Sequence, residues 1–182
     1  MRPYQPPGIW EAVAFPGSNT QNYVAQHGPA LYRRSLYTFW KRTAPPALLR
    51  LFDAPSRETC AVYRERTNTP LQALALLNDV GFAEAARAFA EQLIRATVAD
   101  DARIALGFFD CTARQPDQVE LALLRALLQQ ARARFAADRS AATRYVHIGE
   151  SPVPDEKDPV ELAALTTLTA VLLNLDALLS RN

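Results

Sequence analysis

The fold is decided by the stretch Thr69-Pro70-Leu71-Gln72-Ala73-Leu74-Ala75-Leu76-Leu77-Asn78-Asp79. Threonine followed by proline is typical of a helix start. The hydroxyl can accept a hydrogen bond from a free amide, and proline lacks only an N–H that would have no helical partner. The leucines at positions 71, 74 and 77 or 76 recur at helical spacing and predict one apolar face. Asn78-Asp79 ends this helix, and Asp79 is placed to cap the next one.

Helical spacing of apolar residues continues to the end of the chain. The predicted starts of the later helices are, in order, Asp79, Asp100, Pro116, Ser140 and Asp158-Pro159. The shorter piece that Ser140 caps is predicted over 141–147, and the last helix over 159–179. Three sets of residues are predicted to face inward: Phe82, Ala85, Ala86, Phe89, Leu93 and Ile94; Ile104, Phe108 and Cys111; and Val119, Leu123 and Leu127, with Leu124 and Leu128 beside them.

Residues 1–69 lack this helical spacing and contain prolines and aromatic residues between short apolar pieces. Trp10 and Phe15, around a short helical piece at 8–14, are predicted to anchor this segment onto the main body of the fold. Residues 30–42 permit a helix or a strand, and apolar matches at helical spacing favour the helix. A helical turn is expected at 48–52. The sequence therefore predicts a single all-α domain over 1–182: an irregular Pro-rich wrap, 1–69, and a bundle of five or six helices, 70–182.

The net charge of +1 hides a division along the chain. Residues 1–69 carry nine basic and four acidic side chains, a net of +5, whereas residues 70–182 carry eleven and fifteen, a net of −4. Nucleic-acid binding is disfavoured, because a chain with a pI of 7.8 and an acidic bundle does not offer a broad basic face. The basic third either faces an anionic ligand or is neutralised by the acidic bundle that it wraps.

Several classes of site are disfavoured by motifs that the sequence lacks. It has two cysteines, Cys60 and Cys111, two histidines, His27 and His147, and neither CxxC, CxxCH nor HExxH. No metal site and no haem are therefore expected in this chain, and the thiols are expected to be unpaired. Cys60 is interpreted as a buried structural residue. No apolar run is long enough for a membrane span, and the N-terminus lacks the apolar core of a signal peptide.

Two polar clusters carry the candidate binding residues. In the first, at 33–42, four cations accompany three aromatic residues, a composition suited to an anionic ligand. The alternative is a solvated face in which Arg34 pairs with an internal acid. In the second, at 52–69, arginines alternate with glutamates beside Asp53, which fits either an internal ion-pair lattice or a set of bidentate anion clamps. The candidate binding residues are Arg33, Arg34, Tyr37, Lys41, Arg42, Arg57, Arg64, Arg66, Asn68 and Gln72.

The strings at 31–42, 52–58 and 64–79, the last containing Arg66-Thr67-Asn68-Thr69-Pro70-Leu71-Gln72-Ala73-Leu74, carry a family resemblance. Together with 4–11 and 172–176 they make the chain similar to the C-terminal part of a domain of unknown function from planctomycete and related bacterial proteins. Two departures stand out. Tyr63 occupies a position that is usually basic, and Ala113 replaces a usual glycine, which puts a left-handed helix cap there in doubt.

The resemblance implies a setting rather than an activity. Such domains follow a cytochrome-c-like domain in long exported proteins, so a haem is expected only in that upstream domain, and the chain is expected to be exported. Its implied partners are upstream domains of the same or a companion protein. The leading hypothesis is a non-catalytic helical module that binds an acidic partner or polysaccharide. The alternative is part of an enzyme site, redox or polysaccharide-processing, that an upstream domain completes.

Overall fold

The structure, a computed structural model, describes residues 1–63, 65, 67–154 and 158–179. The chain divides into two compact units, Met1–Thr67 and Asn68–Asn182. Every regular element in the described ranges is a helix, apart from an isolated antiparallel bridge between Lys41 and Ala44. The all-α prediction is therefore confirmed. The prediction of one domain over 1–182 stays a prediction.

The first unit is irregular, as predicted, and is built around Trp10. It contains three short 3₁₀ helices, Glu11–Val13, Gly28–Ala30 and Ser35–Tyr37, and one α-helix, α1, Ala47–Leu51. The indole of Trp10 is 2% exposed, and its ring centroid lies 4.9 Å from that of Tyr23 and 5.6 Å from that of Phe39. Trp10 is thus buried inside the first unit, and its expected role as an anchor onto the helical bundle stays a prediction. Phe15 is not buried, since 71% of its surface is exposed.

The predicted helix at 30–42 is wrong. This segment holds two 3₁₀ turns, and beyond them Thr38 has extended backbone at φ −69° and ψ 129°. The local main-chain hydrogen bonds of this segment are confined to single turns, as from Tyr37 N to the carbonyl of Arg34 at 3.0 Å, and Phe39 N donates instead to the carbonyl of Met1 at 2.7 Å. This long-range hydrogen bond supplies Phe39 N with the partner that a helix would have provided locally.

The second unit holds seven α-helices within its described residues. They are α2 Pro70–Asn78, α3 Val80–Ala96, α4 Asp100–Thr112, α5 Gln118–Ala137, α6 Arg139–Val146, α7 Pro159–Leu173 and α8 Asp176–Leu179. The predicted last helix is interrupted at Asn174, whose side-chain amide donates to the carbonyl of Ala73 at 3.3 Å. That contact with α2 accompanies the break between α7 and α8.

The starts of α2, α3 and α7 follow the predicted capping chemistry. Thr69 and Gln72 form a reciprocal capping box, in which the Thr69 hydroxyl accepts from Gln72 N and the Gln72 amide oxygen accepts from Thr69 N. Asp79 caps α3 by accepting from Gly81 N at 2.9 Å. Two starts differ from the prediction. Helix α5 begins at Gln118 with Asp117 as its cap rather than at Pro116. Helix α6 is capped by Asp138 rather than Ser140.

Two predicted apolar faces are rotated from their true positions. On α2 the buried residues are Gln72 and Leu76, while Leu71, Leu74 and Leu77 are exposed. On α5 the buried residues are Leu124, Leu128, Ala131 and Phe135, while Val119 and Leu123 are exposed. In both helices leucines occupy several faces, so their spacing alone does not predict which side is buried. In α2 the face that packs inward is the one that carries the capping Gln72.

Helix α7 forms the centre of the second unit, and ten of its fifteen residues are buried. It packs against α3, α5 and α6. The hydroxyl of Thr169 donates to the carbonyl of Ala86 on α3 at 2.7 Å, and that of Thr166 donates to the carbonyl of Leu162 at 2.7 Å. These hydrogen bonds satisfy the few polar groups of an otherwise apolar helix.

Charged side chains join α4, α5 and α7 at one end of this core. Arg132 donates to both oxygens of Asp100, at 2.5 and 2.7 Å, and to both oxygens of Glu161, at 2.7 Å. Arg103, 8% exposed, donates to Glu161 at 3.1 Å and to the carbonyl of Thr97 at 2.8 Å. The hydrogen bonds from Arg132 hold the pKa of Asp100 below its usual value.

The loop after α6 is held on α3 by two buried charged residues. Glu84 accepts from the backbone amides of Glu150 and Ser151, and Arg87 donates to the carbonyl of Ser151 at 2.9 Å and to its hydroxyl. Gly149, at φ +97°, permits this approach because a Cβ there would lie 2.3 Å from Glu84 Oε2. The glycine is therefore required by both its backbone conformation and its neighbour.

Ala113 takes the left-handed conformation that its identity had put in doubt, with φ 59° and ψ 19°. We expect Ala113→Gly to raise the free energy of unfolding by about 0.5–1 kcal/mol, because glycine has no Cβ to strain this backbone. Urea unfolding followed by circular dichroism measures the change. The control is Ala122→Gly, at an exposed position inside α5, which should lower stability by about 0.5–1 kcal/mol. A loss of stability in both variants would contradict the prediction.

Glu120 gives the second unit a measurable acid sensitivity. Hydrogen bonds from Arg114 and from the backbone amide of Asp117 lower the pKa of Glu120 from 4.5 to about 2. Because the folded pKa is depressed, the stabilisation is present above the unfolded value and is lost as pH falls from about 4.5 towards 2. We expect wild type to lose more stability than Glu120→Gln between pH 5 and pH 3.

Glutamine is the matched replacement because it keeps the capping-box geometry while removing the charge. Urea midpoints of both proteins at the two pH values provide the comparison. Equal losses would show that Glu120 is not protonated differently in the folded and unfolded states.

Candidate functional site

The candidate site lies on the first unit, where successive side chains of residues 39–42 contact alternating partners. Phe39 and Lys41 contact Trp10, whereas Trp40 contacts Arg57 and Arg42 contacts Glu58. This alternation of contacts has a period of two residues. We call the side that contacts Trp10 the structural side, although Phe39 itself is 47% exposed, and the side that carries the exposed Arg42 and Arg57 the solvent-facing side.

On the structural side, Lys41 is used to hold the unit together. Its ammonium lies 4.8 Å from the Trp10 ring centroid and donates to the carbonyl of Thr20 at 2.8 Å. A cation over an indole face is attracted by the electron-rich ring. Lys41, a predicted binding residue, therefore belongs to the interior arrangement of this unit.

On the solvent-facing side, two arginines are paired with neighbours. The guanidinium of Arg57 lies 4.5 Å from the ring centroid of Trp40. Arg42 donates through Nε and Nη2 to the two carboxylate oxygens of Glu58, at 2.8 and 2.5 Å. This bidentate pair is open to water, since the side chains of Arg42 and Glu58 are 82% and 45% exposed. The Arg42 guanidinium lowers the pKa of Glu58 through these hydrogen bonds.

The turn that presents Arg57 contains two residues with left-handed backbone, Asp53 at φ 57° and Arg57 at φ 64°. Asp53 accepts from the backbone amide and hydroxyl of Thr67, both at 2.8 Å, and the hydroxyl of Ser56 accepts from Glu58 N at 3.3 Å. Such backbone is unfavourable for residues with a Cβ and persists where surrounding contacts enforce it. Here those contacts include Asp53–Thr67 and Arg57–Trp40.

Arg33 and Arg34 stand apart from these pairs. Both are exposed, and within the described part of the chain neither forms an ion pair. The alternative in which Arg34 pairs with an internal acid is therefore wrong, because its side chain lies at the surface. Tyr37, 54% exposed, lies in the 3₁₀ turn that follows them. We use the name Arg/aromatic surface for two groups of residues of the first unit: the exposed Arg33, Arg34 and Tyr37, and the paired Trp40, Arg42 and Arg57.

Other predicted site residues lie elsewhere. Asn68 and Gln72 belong to the second unit, where Asn68 donates to Asp176 at 2.6 Å and Gln72, 2% exposed, completes the cap of α2. Gln72 is a structural residue. Arg64 and Arg66 lie outside the described residues. The ion-pair lattice predicted around them therefore stays a prediction; among the described residues, Glu58 pairs with Arg42 at the surface.

The thiols and imidazoles do not converge on a centre. Cys60 is exposed and Cys111 is buried, so the interpretation of Cys60 as a buried residue is wrong. Burial raises the pKa of the Cys111 thiol. His27 and His147 are both exposed, and His147 lies at the end of α6 with Nδ1 2.7 Å from the carbonyl of Thr143.

The described residues also lack two larger features. Within 1–63, 65, 67–154 and 158–179, no three His, Cys, Asp or Glu side chains are grouped so that they could hold a metal ion. Over the same ranges, no helix combines the length and the apolar character needed to cross a bilayer.

The model of a protein family described as PSD1, protein of unknown function (DUF1553), matches residues 1–128. The chain belongs to this family. The match includes all of the first unit, and therefore the whole Arg/aromatic surface, and ends within α5. The similarity noted at 172–176 lies beyond the matched residues. Comparisons with curated proteins and with solved structures gave no match.

Sequence reasoning missed Trp40 as the partner of Arg57 and Trp10 as the partner of Lys41. The signal was available in the order Phe39-Trp40-Lys41-Arg42, in which two aromatic residues are followed by two basic residues. In an extended chain this order places one aromatic residue and one cation on each side. The helical interpretation of 30–42 obscured it.

The stacking of Arg57 on Trp40 can be tested by fluorescence quenching. Of the two tryptophans, Trp10 is 2% exposed, so quenching by acrylamide reports mainly on Trp40. We expect Arg57→Gly to increase the quenching constant, because it uncovers the indole face while glycine accepts the positive φ. The control is Arg33→Gln, a surface arginine outside the stack. An unchanged quenching constant in Arg57→Gly would show that the stack does not persist in solution.

Proposed function

We propose that the chain is a non-catalytic helical module that binds an anionic polysaccharide, carboxylated or sulfated, through the Arg/aromatic surface. The observation that carries this proposal is the pair Arg33 and Arg34. They are adjacent cations, exposed, and without an ion pair among the described residues. They belong to a unit with nine basic and four acidic side chains.

The chemistry of the surface favours a glycan over other anions. Guanidinium groups bind the carboxylates and sulfates of acidic sugars with two parallel hydrogen bonds. Tyr37 adds an exposed ring of the kind that packs on the apolar C–H face of a sugar. Nucleic acid is disfavoured because the pI of the chain is 7.8 and residues 70–182 carry a net charge of −4.

The proposal includes the setting that the family resemblance implies. In it, the chain acts in an exported multidomain protein, beside upstream domains that contain the cytochrome-c-like part and its haem. Polysaccharide at the cell surface would then be within reach of the exposed arginines. Retention of an acidic glycan near the upstream domains is the expected role.

The second candidate is a contribution to an enzyme site that an upstream domain completes. It is supported by the left-handed backbone of Asp53 and Arg57, since residues in such conformations are concentrated at functional sites. In that case Arg57 and the exposed arginines would hold an anionic substrate. The two candidates differ in whether Arg33 and Arg34 act in binding alone or also in turnover by the full-length protein.

Glycan binding can be measured by titrating the protein with polygalacturonate and dextran sulfate at low ionic strength. Neutral dextran serves as the uncharged reference. We expect binding to both polyanions, weakening steeply with added salt because the contact is electrostatic. Replacing both Arg33 and Arg34 by glutamine should lower the affinity by about tenfold or more.

The matched control replaces Arg95 and Arg144 by glutamine, which removes the same charge from exposed positions of the second unit. Binding by this variant should fall much less. Equal losses of polyanion affinity in the two double variants would show that binding depends on the net charge of the chain and not on Arg33 and Arg34. Absence of binding to either polyanion at low salt would overturn the proposal.

A further inference from the structure

A cavity of about 500 Å³ opens on the first unit beside α1. Its walls come from three segments: Ile9 and Val13 near the first 3₁₀ helix, residues 43–45, and one face of α1. The α1 face consists of Ala47, Arg50 and Leu51, which share a side of the helix at spacings of three and four residues. Its volume lies within the range of small-molecule sites, roughly 300–1,000 Å³.

The walls are apolar with two exceptions, Thr43 and Arg50. Val13 leaves 46% of its surface exposed, although it belongs to an apolar wall. An apolar ligand would remove this surface from water, and such burial favours binding by about 25 cal/mol per Å². The apolar wall therefore suits a hydrocarbon or aromatic body.

Arg50 provides the charge. Its side chain is exposed, and it makes neither an ion pair nor a side-chain hydrogen bond with the described residues. No acidic residue lines the cavity, so nothing in the walls neutralises this guanidinium. The nearby acids are engaged elsewhere: Asp53 accepts from Thr67, and Glu11 accepts from Tyr23 N at 3.5 Å.

We propose that the cavity beside α1 binds a small amphipathic anion, with an apolar body against Val13, Ala47 and Leu51 and a carboxylate or sulfonate on Arg50. A free carboxylate or sulfonate matches the fork of donors on a guanidinium. A sugar fits the cavity poorly, because apart from Thr43 and Arg50 the lining side chains offer no hydrogen-bonding group for hydroxyls. The cavity is thus a different site from the Arg/aromatic surface.

The test uses two fluorescent probes that differ in a single group. 1-Anilinonaphthalene-8-sulfonate carries an anionic group on an apolar body, and N-phenyl-1-naphthylamine is the same body without it. Titrated against the full chain at low ionic strength, the sulfonate is expected to bind about tenfold more tightly than the neutral probe, because only the sulfonate forms a charge-assisted hydrogen bond. Equal affinities, or no saturable binding of the sulfonate, would overturn the proposal.

Two substitutions separate the charge from the apolar wall. Arg50→Gln should remove the preference, lowering sulfonate affinity about tenfold and leaving the neutral probe within about twofold. Ala47→Phe, at an exposed helical position, should fill the cavity and weaken both probes. A sulfonate affinity that is unchanged in either variant would place binding elsewhere.

Folding and the polysaccharide site are controlled separately. Circular dichroism and the urea midpoint verify that each variant is folded, since the sulfonate probe also binds loosely packed states. The Arg33/Arg34 double glutamine variant should bind both probes as wild type does, even where it loses polyanion binding. If this variant loses the sulfonate preference instead, the anion is held by the Arg/aromatic surface and the cavity proposal fails.

Discussion

The second unit depends on the burial of α7. A helix that is apolar on nearly every side is stable in water only when other helices cover it, and α3, α5 and α6 do so. The covering helices present the residues that fit this surface, which explains why α5 packs through Leu124 and Leu128 rather than through Val119 and Leu123. The polar groups that α7 brings inside are satisfied, as with Thr169 and the carbonyl of Ala86.

The charged residues at one end of the core follow from the same arrangement. Packing α7 between α4 and α5 brings Glu161 beside Arg103 and Arg132, and Asp100 completes the set. Because these side chains are only partly covered, with Arg132 29% exposed, their hydrogen bonds orient the helices more than they stabilise them. Removing one partner would leave Arg103, which is nearly buried, with fewer acceptors.

The first unit is organised by a different constraint, a segment, 39–42, that offers one aromatic residue and one cation to each of two sets of partners. Lys41 contacts the buried Trp10, while Trp40 contacts the exposed Arg57. The basic residues of this unit therefore fall into two groups. Some cations bind neighbours, whereas Arg33, Arg34 and Arg50 have no ion pair among the described residues and are available for anions.

Local chemistry could be predicted from the sequence, and helix orientation could not. Thr69-Pro70 with Gln72 predicts a capped helix, because every atom of the cap lies within four residues of the chain. Asp79 predicts the start of α3 for the same reason. The buried face of α2 could not be predicted in this way. Four leucines, Leu71, Leu74, Leu76 and Leu77, lie on so many sides of the helix that their spacing does not select one of them.

The candidate site divides in the same way. Its composition, aromatic residues flanked by basic residues at 33–42, is visible in the sequence and is part of the segment that matches the family. The sequence by itself determined the all-α class, the starts of α2, α3 and α7 and the basic first third. Only the tertiary structure decided that 30–42 is not an α-helix, that Lys41 and Gln72 are structural, and that Arg33 and Arg34 lie at the surface. The physical reason is that these outcomes depend on partners distant in the chain, such as Met1 for Phe39 and Trp10 for Lys41.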